Sequence, residues 1–516
     1  MTISRRISKD GHLATIVRDI GSFLLIPAGM IVVSLPVCVI SRDWSVLAAF
    51  VITLLGVLVV SGLCRYWGRR AQTGTAAQTL ISVALSWGLL AVVGGLPLWL
   101  TAVLIGPQAS PTLKAFSDIS NALFEGMSGF TSAGLTMSLR PSQLPASLQW
   151  WRSLMQWTGG VGVIAFAIAL LDPTHNHHAL FKAEGRQDQI RLTVSATVKR
   201  IWIIYSGYTA VGILLFRLLG MSWWEAINHS MSAISTGGFS ITDSSMGAYD
   251  MPVQLAVMVM MVAGAVAFSR HDIIIRQRDP LALWRDQQHR LLLVLLLVGS
   301  GLVGLEHYAA HQRFDWLGSS FQWVSALSTC GFSSQPLQFW SDGNKLLLSL
   351  AMVVGGAAGS TVGGLKLNRL LVLIKTVVWR LQGNVLSPHE RMSRRLDGSL
   401  LQPQQALQQV ESATSLAVLW MAVLFAGIWC LAAVVPTEYT LTDVIFETAS
   451  ALGAAGLSTG IAAPSLFWVG KYLLMLLMWM GRLEIVPVLL LFNLLSEYLL
   501  LPGRLTGRLA RRHGRL

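Results

Sequence analysis

Apolar stretches of about 20 residues recur along almost the whole chain, and each is long enough to cross a hydrocarbon core of about 30 Å as a helix. These stretches lie at residues 20–40, 44–63, 81–104, 149–171, 198–220, 251–268, 289–308, 411–435 and 470–501. A further stretch, 345–378, is apolar at both ends but interrupted by glycines. Only 12% of the 516 residues are charged, about half the share typical of a soluble protein. The sequence predicts an all-α polytopic membrane protein with about ten crossings.

The net charge of +13 is distributed in clusters between the apolar stretches. Lys and Arg are concentrated at 5–9, 65–70, 182–200, 270–290, 366–380 and 504–515. All these clusters fall on one side of the membrane if the spans alternate, so the positive-inside rule places both termini in the cytoplasm. We expect a multi-pass protein of the plasma membrane that is surrounded by the lipid bilayer and binds no nucleic acid.

Four short segments rich in small residues align without gaps and reveal an internal repeat. They are SGFTSAGL (128–135), SAISTGGF (232–239), SALSTCGF (325–332) and SALGAAGL (450–457). Each begins with Ser and has glycine at its seventh place, at Gly134, Gly238, Gly331 and Gly456. The stretch of about ten residues before each segment is too short to span a membrane and is typical of a re-entrant half-helix.

A second glycine follows each seventh-place glycine by 25 or 26 residues, at Gly160, Gly264, Gly356 and Gly481. Close helix packing by small residues would explain one such pair, but not two anchors that agree across four copies. The sequence therefore predicts four pseudo-symmetric membrane-pore-membrane repeats around one ion pore, preceded by two extra N-terminal transmembrane helices.

These anchors divide the chain into five parts. Residues 1–75 form an N-terminal cytoplasmic segment and the two extra helices, and residues 76–180 form repeat 1, with pore segment 118–137. Repeat 2 is 181–280 with pore segment 222–241, and repeat 3 is 281–400 with pore segment 315–334 and an intramembrane loop at 355–364. Repeat 4 is 401–516, with pore segment 440–460 and a basic cytoplasmic tail.

The aligned segments have the composition of an ion-binding strand. Extended backbone is tolerated at membrane depth where it lines a cavity, and four strands around one axis can direct carbonyl oxygens at a dehydrated cation. Glycine fits the seventh place because consecutive inward carbonyls require φ values that a side chain penalises. No acidic residue lies within the segments, so we expect a monovalent cation bound by neutral dipoles. Glu125 and Glu447 precede the segments, where they either orient the half-helix or attract ions directly.

One predicted span is weakened at its middle. The stretch GGAAGSTVGG, residues 355–364, contains five glycines, and each glycine costs a helix interior about 1 kcal/mol relative to alanine. We interpret it as an unwound segment whose glycines keep the backbone mobile, and in which Ser360 and Thr361 can bond freed backbone groups. Repeat 2 has Ala263-Gly264 at the equivalent place, so we expect no similar loop there.

Arg482 and Glu484 lie inside the apolar stretch 470–501, where ionisable residues usually face the bundle interior. They are two residues apart, so they do not face each other on a helix. Because Arg482 follows the anchor Gly481, we expect it just inside the fourth strand, where its charge would repel and slow a passing cation. A purely structural ion pair is the alternative.

Together, the four SxxxxxG segments, GGAAGSTVGG-LK and MGRLEI (480–485) resemble the Trk/Ktr/HKT potassium transporter superfamily, most of all the TrkH/TrkG membrane subunits of bacterial Trk systems. The resemblance implies a potassium filter, potassium as the transported ion, no organic cofactor, and location in the bacterial inner membrane. It also implies a homodimer with one pore per protomer. Control would come from a cytoplasmic TrkA-like nucleotide-binding ring, for which the basic inner loops offer a surface.

The resemblance assigns roles to individual positions. The filter carbonyls would belong to Thr131, Ser132, Ala133, Gly134, Ser235, Thr236, Gly237, Gly238, Ser328, Thr329, Cys330, Gly331, Gly453, Ala454, Ala455 and Gly456. The gate would comprise Gly355, Gly356, Gly359, Ser360, Thr361, Gly363, Gly364 and Arg482. In plant HKT members a serine at the first filter glycine accompanies sodium permeation, so Gly134 resembles the potassium-selective pattern.

We therefore expect potassium uptake through a carbonyl-lined filter, gated by the glycine-rich loop and controlled by a nucleotide-binding subunit. The alternative is an alternating-access secondary transporter, a cation symporter for sodium or another small substrate. Such transporters often contain inverted repeats, whereas each of these repeats begins and ends on the same side. We expect no enzyme activity, because catalytic or metal-binding spacings are lacking and the run at 175–178 (HNHH) is interpreted as an exposed loop.

Overall fold

The computed structural model of the protein describes residues 2–70, 75–162, 194–385, 395–396 and 399–500. Its helices are α1 (Thr2–Phe23), α2 (Leu25–Ile40), α3 (Trp44–Trp67), α4 (Ala76–Ile105), α5 (Pro111–Ala115), α6 (Ile119–Thr131), α7 (Ala146–Val161), α8 (Val194–Leu218), α9 (Trp223–Ile234), α10 (Met251–Ala265), α11 (Phe268–Gln277), α12 (Ala282–Arg285), α13 (Gln287–His311), α14 (Trp316–Leu327), α15 (Asp342–Val354), α16 (Leu367–Val385), α17 (Pro403–Ala432), α18 (Leu441–Gly453), α19 (Trp468–Arg482) and α20 (Val486–Leu500). Two-residue strands, β1 (Arg395–Leu396) and β2 (Ser399–Leu400), pair antiparallel. The prediction of an all-α fold is confirmed apart from this hairpin. The histidine run at 175–178 lies outside the described residues.

Six described helical segments are long and apolar enough to cross a membrane individually. They are Leu13–Ile40, Trp44–Trp67, Ala77–Gln108, Ala196–Leu218, Gln287–His311 and Pro403–Ala432. Two further helix pairs, α10 with α11 and α19 with α20, pass the same test only together because each pair is sharply bent. The multi-pass prediction is confirmed, although fewer than ten unbroken crossings are present in the described part of the chain.

Each repeat consists of a leading helix, a short pore helix and an outgoing helix. The leading helices are α4, α8, α13 and α17, the pore helices are α6, α9, α14 and α18, and the outgoing helices are α7, α10, α15 and α19. The helices α1 to α3 precede repeat 1. Asp43, between α2 and α3, accepts hydrogen bonds from the Ser147 backbone N–H (3.0 Å) and hydroxyl (2.8 Å), which ties this extension to the start of α7.

The pore helices contain only 12 or 13 residues, well short of the roughly 20 needed to span. Each begins at a polar N-cap whose side chain accepts a hydrogen bond from a backbone N–H of the first turn. These caps are Asp118, Ser222, Asp315 and Thr440. Because a bilayer core offers no water to the first N–H groups of a helix, such caps allow a helix to begin there.

All four pore helices end in the same Schellman motif. Just past each helix end one residue is left-handed, with φ of 54°, 50°, 49° and 50° at Ser132, Thr236, Thr329 and Ala454. The next backbone N–H donates to the carbonyl of the serine that begins each aligned segment, at 2.9–3.0 Å: Ala133 to Ser128, Gly237 to Ser232, Cys330 to Ser325 and Ala455 to Ser450. Non-glycine residues rarely adopt this conformation, so its recurrence in every repeat shows that the architecture requires it.

The outgoing helices end close to their anchor glycines, one residue after the glycine in repeats 1, 2 and 4 and two residues before it in repeat 3, at Val161, Ala265, Arg482 and Val354 respectively. The chain bends by 103° between α10 and α11 and by 117° between α19 and α20. The continuous span predicted at 470–501 is therefore wrong, because it is two helices, and the span predicted at 251–268 is too long, because α10 ends at Ala265 and Phe268 already begins α11. Of the predicted span 149–171, the structure describes residues up to 162, after the end of α7. In repeat 2 only Val266 and Ala267 separate the two helices, so no long loop occurs there.

The anchor glycines of repeats 1, 2 and 4 lie where an outgoing helix contacts the end of a pore helix, whereas Gly356 of repeat 3 lies in the loop after α15 and packs against the Val362 side chain. A Cβ on Gly481 would overlap the Leu452 carbonyl oxygen, and a Cβ on Gly160 would come within 2.7 Å of the Ser235 side chain. A Cβ on Gly264 would meet the Thr236 side chain at 2.7 Å. Close packing, which alone cannot explain the whole repeat, thus accounts for this second anchor.

Replacing Gly481 by Ala should destabilise the protein by about 1–3 kcal/mol, because the added methyl overpacks a backbone contact. Gly301→Ala is the matched control, since Gly301 lies in α13 with no atom within 4 Å of a built Cβ. That control should be neutral or stabilising by up to about 1 kcal/mol. Thermal unfolding of the detergent-solubilised proteins measures both, and equal melting temperatures for the two variants would contradict the packing role of Gly481.

Candidate ion pathway

The four seventh-place glycines form a closed ring. All have positive φ, 81° at Gly134, 79° at Gly238, 92° at Gly331 and 86° at Gly456. A Cβ on each would overlap a carbonyl oxygen of the next repeat in cyclic order, at Gly237, Cys330, Ala455 and Ala133 respectively. Each position therefore requires glycine for two reasons, the backbone conformation and the close approach of the neighbouring strand.

The ring brings the four predicted strands together at one level of the molecule. The C-terminal ends of the four pore helices lead into it, and such ends carry partial negative charge. The strand residues themselves are Gly, Ala, Ser, Thr and Cys, with no carboxylate among them. This arrangement offers neutral dipoles from four sides, which can replace the hydration shell of a monovalent cation.

A side chain nine residues before each ring glycine binds the strand that follows the glycine. These clamp residues are Glu125, His229, Gln322 and Glu447, all 0% exposed. Each bonds the hydroxyl two residues after the glycine, at Thr136 (2.8 Å), Ser240 (2.9 Å), Ser333 (3.0 Å) and Ser458 (2.8 Å). Each also accepts from the next backbone N–H, at Met137 (2.8 Å), Ile241 (3.5 Å), Ser334 (3.0 Å, with the Gln322 oxygen facing it) and Thr459 (3.1 Å). The clamp residues therefore hold the outer part of each strand against its own pore helix.

Arg152 of α7 joins the first two repeats behind the strands and is 1% exposed. Its Nε donates to Glu125 Oε1 at 2.7 Å and Nη2 donates to the Thr136 hydroxyl at 3.0 Å. Its Nη1 donates to the Ser240 carbonyl of repeat 2 at 3.1 Å. The guanidinium also lies over the Phe239 ring, 4.2 Å from its centroid. Because its partners come from two repeats, Arg152 fixes their relative position and neutralises the buried Glu125.

Residues 355–364 form a compact loop between α15 and α16. Its two ends are joined by backbone hydrogen bonds of 2.9–3.0 Å, from Leu365 to Val353, Lys366 to Val354 and Leu367 to Gly356. Gly355 and Gly364 have φ of 68° and 73°, and a Cβ on Gly364 would lie 3.0 Å from the Gly355 Cα. Glycine is required at these two positions because the two ends of the loop pack backbone against backbone. The sequence alone predicts only a role in backbone mobility for these glycines.

The loop lies against the inner ends of three strands. In repeat 2 the Thr361 and Thr236 hydroxyls are 3.1 Å apart, and in repeat 3 the Gly363 N–H donates to the Thr329 hydroxyl at 2.9 Å. In repeat 4 a Cβ on Gly363 would overlap the Gly453 carbonyl oxygen. The predicted gate residues thus contact predicted filter residues directly.

Arg482 connects the loop to the remaining repeat. Its Nη1 donates to the Thr361 carbonyl at 2.9 Å, and its Nη2 donates to the carbonyls of Gly159 and Gly160 at 2.5 and 3.0 Å. Those two glycines lie in the last turn of α7, where the helix dipole favours a cation. Arg482 therefore bonds backbone carbonyls of repeat 1 and of the loop, and together with the loop contacts all four repeats.

Glu484 pairs with residues beyond the loop rather than with Arg482. Its carboxylate accepts from Lys366 Nζ at 2.9 Å and from Arg369 Nη2 at 2.5 Å. Glu484 and Ile485 have φ of 59° and 67°, which produces the bend between α19 and α20. The ion cluster therefore joins the exit of the loop in repeat 3 to the bend in repeat 4.

Sequence reasoning missed several residues of this pathway. Arg152 lies in the apolar stretch 149–171, and nothing in the sequence marks it as a link between repeats. Lys366 and Arg369 belong to the basic cluster at 366–380, which predicts an inner loop but not an ion pair with Glu484. The clamp residues His229 and Gln322 could have been found by counting nine positions back from each ring glycine, as for Glu125 and Glu447.

An all-helical, multi-pass protein with four re-entrant pore segments closing one ring defines the class of cation transporters built from membrane-pore-membrane repeats. Residues 47–499 match the TrkH family, described as cation transport proteins. The chain belongs to this family, which consists of transporters and not of enzymes.

Several relatives match over most of their length. The Trk system potassium uptake protein TrkH of Halomonas elongata is 31% identical over 459 residues, covering 86% of this chain and 91% of the relative. TrkH of Escherichia coli K12 is 28% identical over 502 residues, covering 93% and 99%. The crystal structure of the potassium transporter TrkH from Vibrio parahaemolyticus superposes with a TM-score of 0.79 at 26% identity, covering 93% of this chain and 98% of that one.

Replacing Arg152 by Ala should lower the free energy of unfolding by about 3–5 kcal/mol, because it leaves the Glu125 carboxylate buried without its partner. Arg285→Ala is the control, since it breaks an exposed ion pair with Asp279 at 2.8 Å. The control should cost about 0–1 kcal/mol. Thermal unfolding in detergent compares them, and similarly small shifts for both variants would show that Arg152 does not hold repeats 1 and 2 together.

Proposed function

We propose that this protein takes up potassium across the plasma membrane through the ring of Gly134, Gly238, Gly331 and Gly456. The observation that carries the proposal is the cyclic contact of each glycine with a carbonyl of the next repeat, with φ between 79° and 92° throughout. Four carbonyl-bearing strands without carboxylates suit a dehydrated monovalent cation. The relatives named as potassium uptake proteins support potassium as that cation. A membrane potential of 100 mV, worth about 2.3 kcal/mol per charge, would drive inward accumulation.

The loop at 355–364 and Arg482 form the gate in this proposal. Thr361 and Gly363 bond the inner ends of strands 2 and 3, while Arg482 fixes the Thr361 carbonyl to the end of α7. An ion leaving the filter meets both the loop and a guanidinium charge. Opening requires these hydrogen bonds to break, each worth about 0.5–1.5 kcal/mol net. A partner that moves α16 can release the loop through Lys366 and its pairing with Glu484.

The assembly is proposed from the family resemblance. The protein forms a homodimer in the bacterial inner membrane, with one pore per protomer and both termini in the cytoplasm. A TrkA-like nucleotide-binding ring binds its cytoplasmic face and controls the gate. Apolar residues exposed along α13 and α17, including Leu297, Leu305, Phe425 and Trp429, supply area for lipid or for the second protomer.

The alternative hypothesis, a secondary transporter with alternating access, is less well supported than a pore. Such transporters often contain inverted repeats, whereas the four repeats here share one order of elements and one cap geometry. Coupling to protons or sodium is compatible with a filter of this kind, and we propose uptake without specifying a coupled ion.

The filter proposal predicts that Gly134→Ser abolishes or strongly reduces rubidium uptake by potassium-starved cells that lack their own transporters. The serine would strain a φ of 81° and overlap the Gly237 carbonyl, which displaces a filter ligand. Any remaining flux should show a lower preference for potassium over sodium. Gly106→Ser is the matched control, because Gly106 also has positive φ (62°) but has no atom within 4 Å of a built Cβ.

Folded protein for each variant is quantified by size-exclusion chromatography so that uptake is compared per folded molecule. Failure of the intact protein with its regulatory subunit to support uptake would contradict the proposed function. Unchanged uptake and selectivity in Gly134→Ser would contradict the placement of the filter.

The gate proposal predicts that Arg482→Gln raises rubidium flux roughly two- to tenfold, because it removes a charge from the pathway and weakens contacts that hold the loop. Arg217→Gln serves as the control, since Arg217 lies at the end of α8, away from the loop, and donates to the Met221 carbonyl at 3.1 Å. The comparison uses initial rates at saturating rubidium. A flux in Arg482→Gln equal to or below that of the intact protein would indicate a structural role instead.

A further inference from the structure

The four clamp residues share one geometry but differ in charge. In repeat 1 the Glu125 carboxylate is neutralised by Arg152 at 2.7 Å. Repeats 2 and 3 use the imidazole of His229 and the amide of Gln322. In repeat 4 the Glu447 carboxylate is 0% exposed, and its contacts within the described structure include no basic side chain. The ring therefore has one clamp with a carboxylate that lacks a cationic partner.

The hydrogen bonds around Glu447 favour its ionised form. Oε1 accepts from the Ser458 hydroxyl at 2.8 Å and from the Ala462 N–H at 3.0 Å. Oε2 accepts from the Thr459 N–H at 3.1 Å and faces the Thr459 hydroxyl at 3.4 Å. Two of these groups are backbone N–H donors, one on each oxygen, and the other two are hydroxyls that can turn their protons toward the carboxylate. Bonds of this kind favour the anion and oppose the desolvation cost of burying its charge.

The lysines on the helices that pack against α18 and the fourth strand have other partners. Lys345 of α15 pairs with Asp443 at 2.8 Å, one turn before Glu447 on the same pore helix. Lys471 of α19 donates to the Pro464 carbonyl at 2.9 Å and lies 3.4 Å from Asp118. Each of these cations already has a carboxylate of its own, so neither cancels the charge of Glu447.

The fourth strand also has fewer side-chain dipoles than the other three strands. Its residues Gly453, Ala454, Ala455 and Gly456 carry no hydroxyl, whereas each of the other three strands contains two hydroxyl side chains. The uncompensated carboxylate thus lies behind the strand with the weakest side-chain field.

We propose that Glu447 supplies the net negative charge of the four clamp residues and thereby sets the affinity of the filter for its cation. This inference rests on the proposed function of the ring. Glu447 acts without coordinating the ion, through the field at the outer part of the fourth strand, while it also holds Ser458 and Thr459 in place. Glu125 holds its strand in the same way but adds no net charge.

The test separates the charge from the clamp by using Glu447→Gln. The chain itself shows that glutamine can serve as a clamp, because Gln322 binds Ser333 and Ser334 at the equivalent place in repeat 3. The reverse variant, Gln322→Glu, adds a carboxylate behind the third strand, and the double variant moves the charge from repeat 4 to repeat 3. Rubidium uptake by potassium-starved cells expressing the full chain with its cytoplasmic subunit gives KM and maximal rate for each.

Glu447→Gln should raise KM roughly tenfold with a maximal rate within about twofold of the original, the size expected for one unit charge about 10 Å away at an effective dielectric constant near 20. Gln322→Glu should lower KM. The double variant should return KM to within about threefold of the original, because the ring regains one net negative charge.

An unchanged KM in Glu447→Gln would overturn the proposal, as would a loss of maximal rate or of folded protein without a change in KM, which is the signature of a clamp alone. A double variant as impaired as Glu447→Gln would also overturn it. All these outcomes require that the original protein transports rubidium, so failure of the proposed function is seen separately as absence of uptake by the original chain.

Discussion

The contact between each ring glycine and a carbonyl oxygen of the next repeat is the constraint on which the rest of the structure depends. No side chain fits between Gly134 and Gly237 or at the three equivalent places, so four backbones must arrive at one level from four sides. The pore helices bring the four strands to this level. Each begins at a polar N-cap, and each ends in the same Schellman motif, which turns the chain into the strand. The outgoing helices then end beside the pore-helix ends, each within two residues of its anchor glycine.

The four repeats share one backbone geometry but carry different side chains. Because of these differences, the two sides of the ring have different structures. On the outer side of the ring, the clamp residues bind the strands, with Arg152 neutralising Glu125 between repeats 1 and 2. On the other side of the ring, repeat 3 extends its break into the loop at 355–364, and repeat 4 supplies Arg482, which bonds that loop. In the proposed function, the fourfold backbone symmetry provides the ion site, while the asymmetric side chains provide the gate.

The sequence predicts the repeated architecture well because the ring glycine of every repeat, and the anchor glycine of repeats 1, 2 and 4, leave no room for a side chain. Gly134 and its equivalents need positive φ, and Gly481 contacts the Leu452 carbonyl. Glycine therefore recurs at nearly the same spacing in the sequence of each repeat. The bends after Ala265 and Arg482 were not predictable, since Val266–Ala267 and Leu483–Ile485 contain no glycine or proline. There the bend depends on distant partners, including the Gly359 carbonyl for the Phe268 N–H and the Lys366–Glu484 pair. The acceptors of Arg482 likewise come from residues more than 100 positions away.

The central claim is that the glycine ring binds the transported cation through backbone carbonyls. Its most direct test is a crystal structure of the protein grown in rubidium, with anomalous diffraction used to locate the ion. The account predicts an anomalous peak on the ring axis, within coordinating distance of the carbonyls of Ala133, Gly237, Cys330 and Ala455. Absence of a peak at the ring, at a rubidium concentration that saturates uptake, would contradict it.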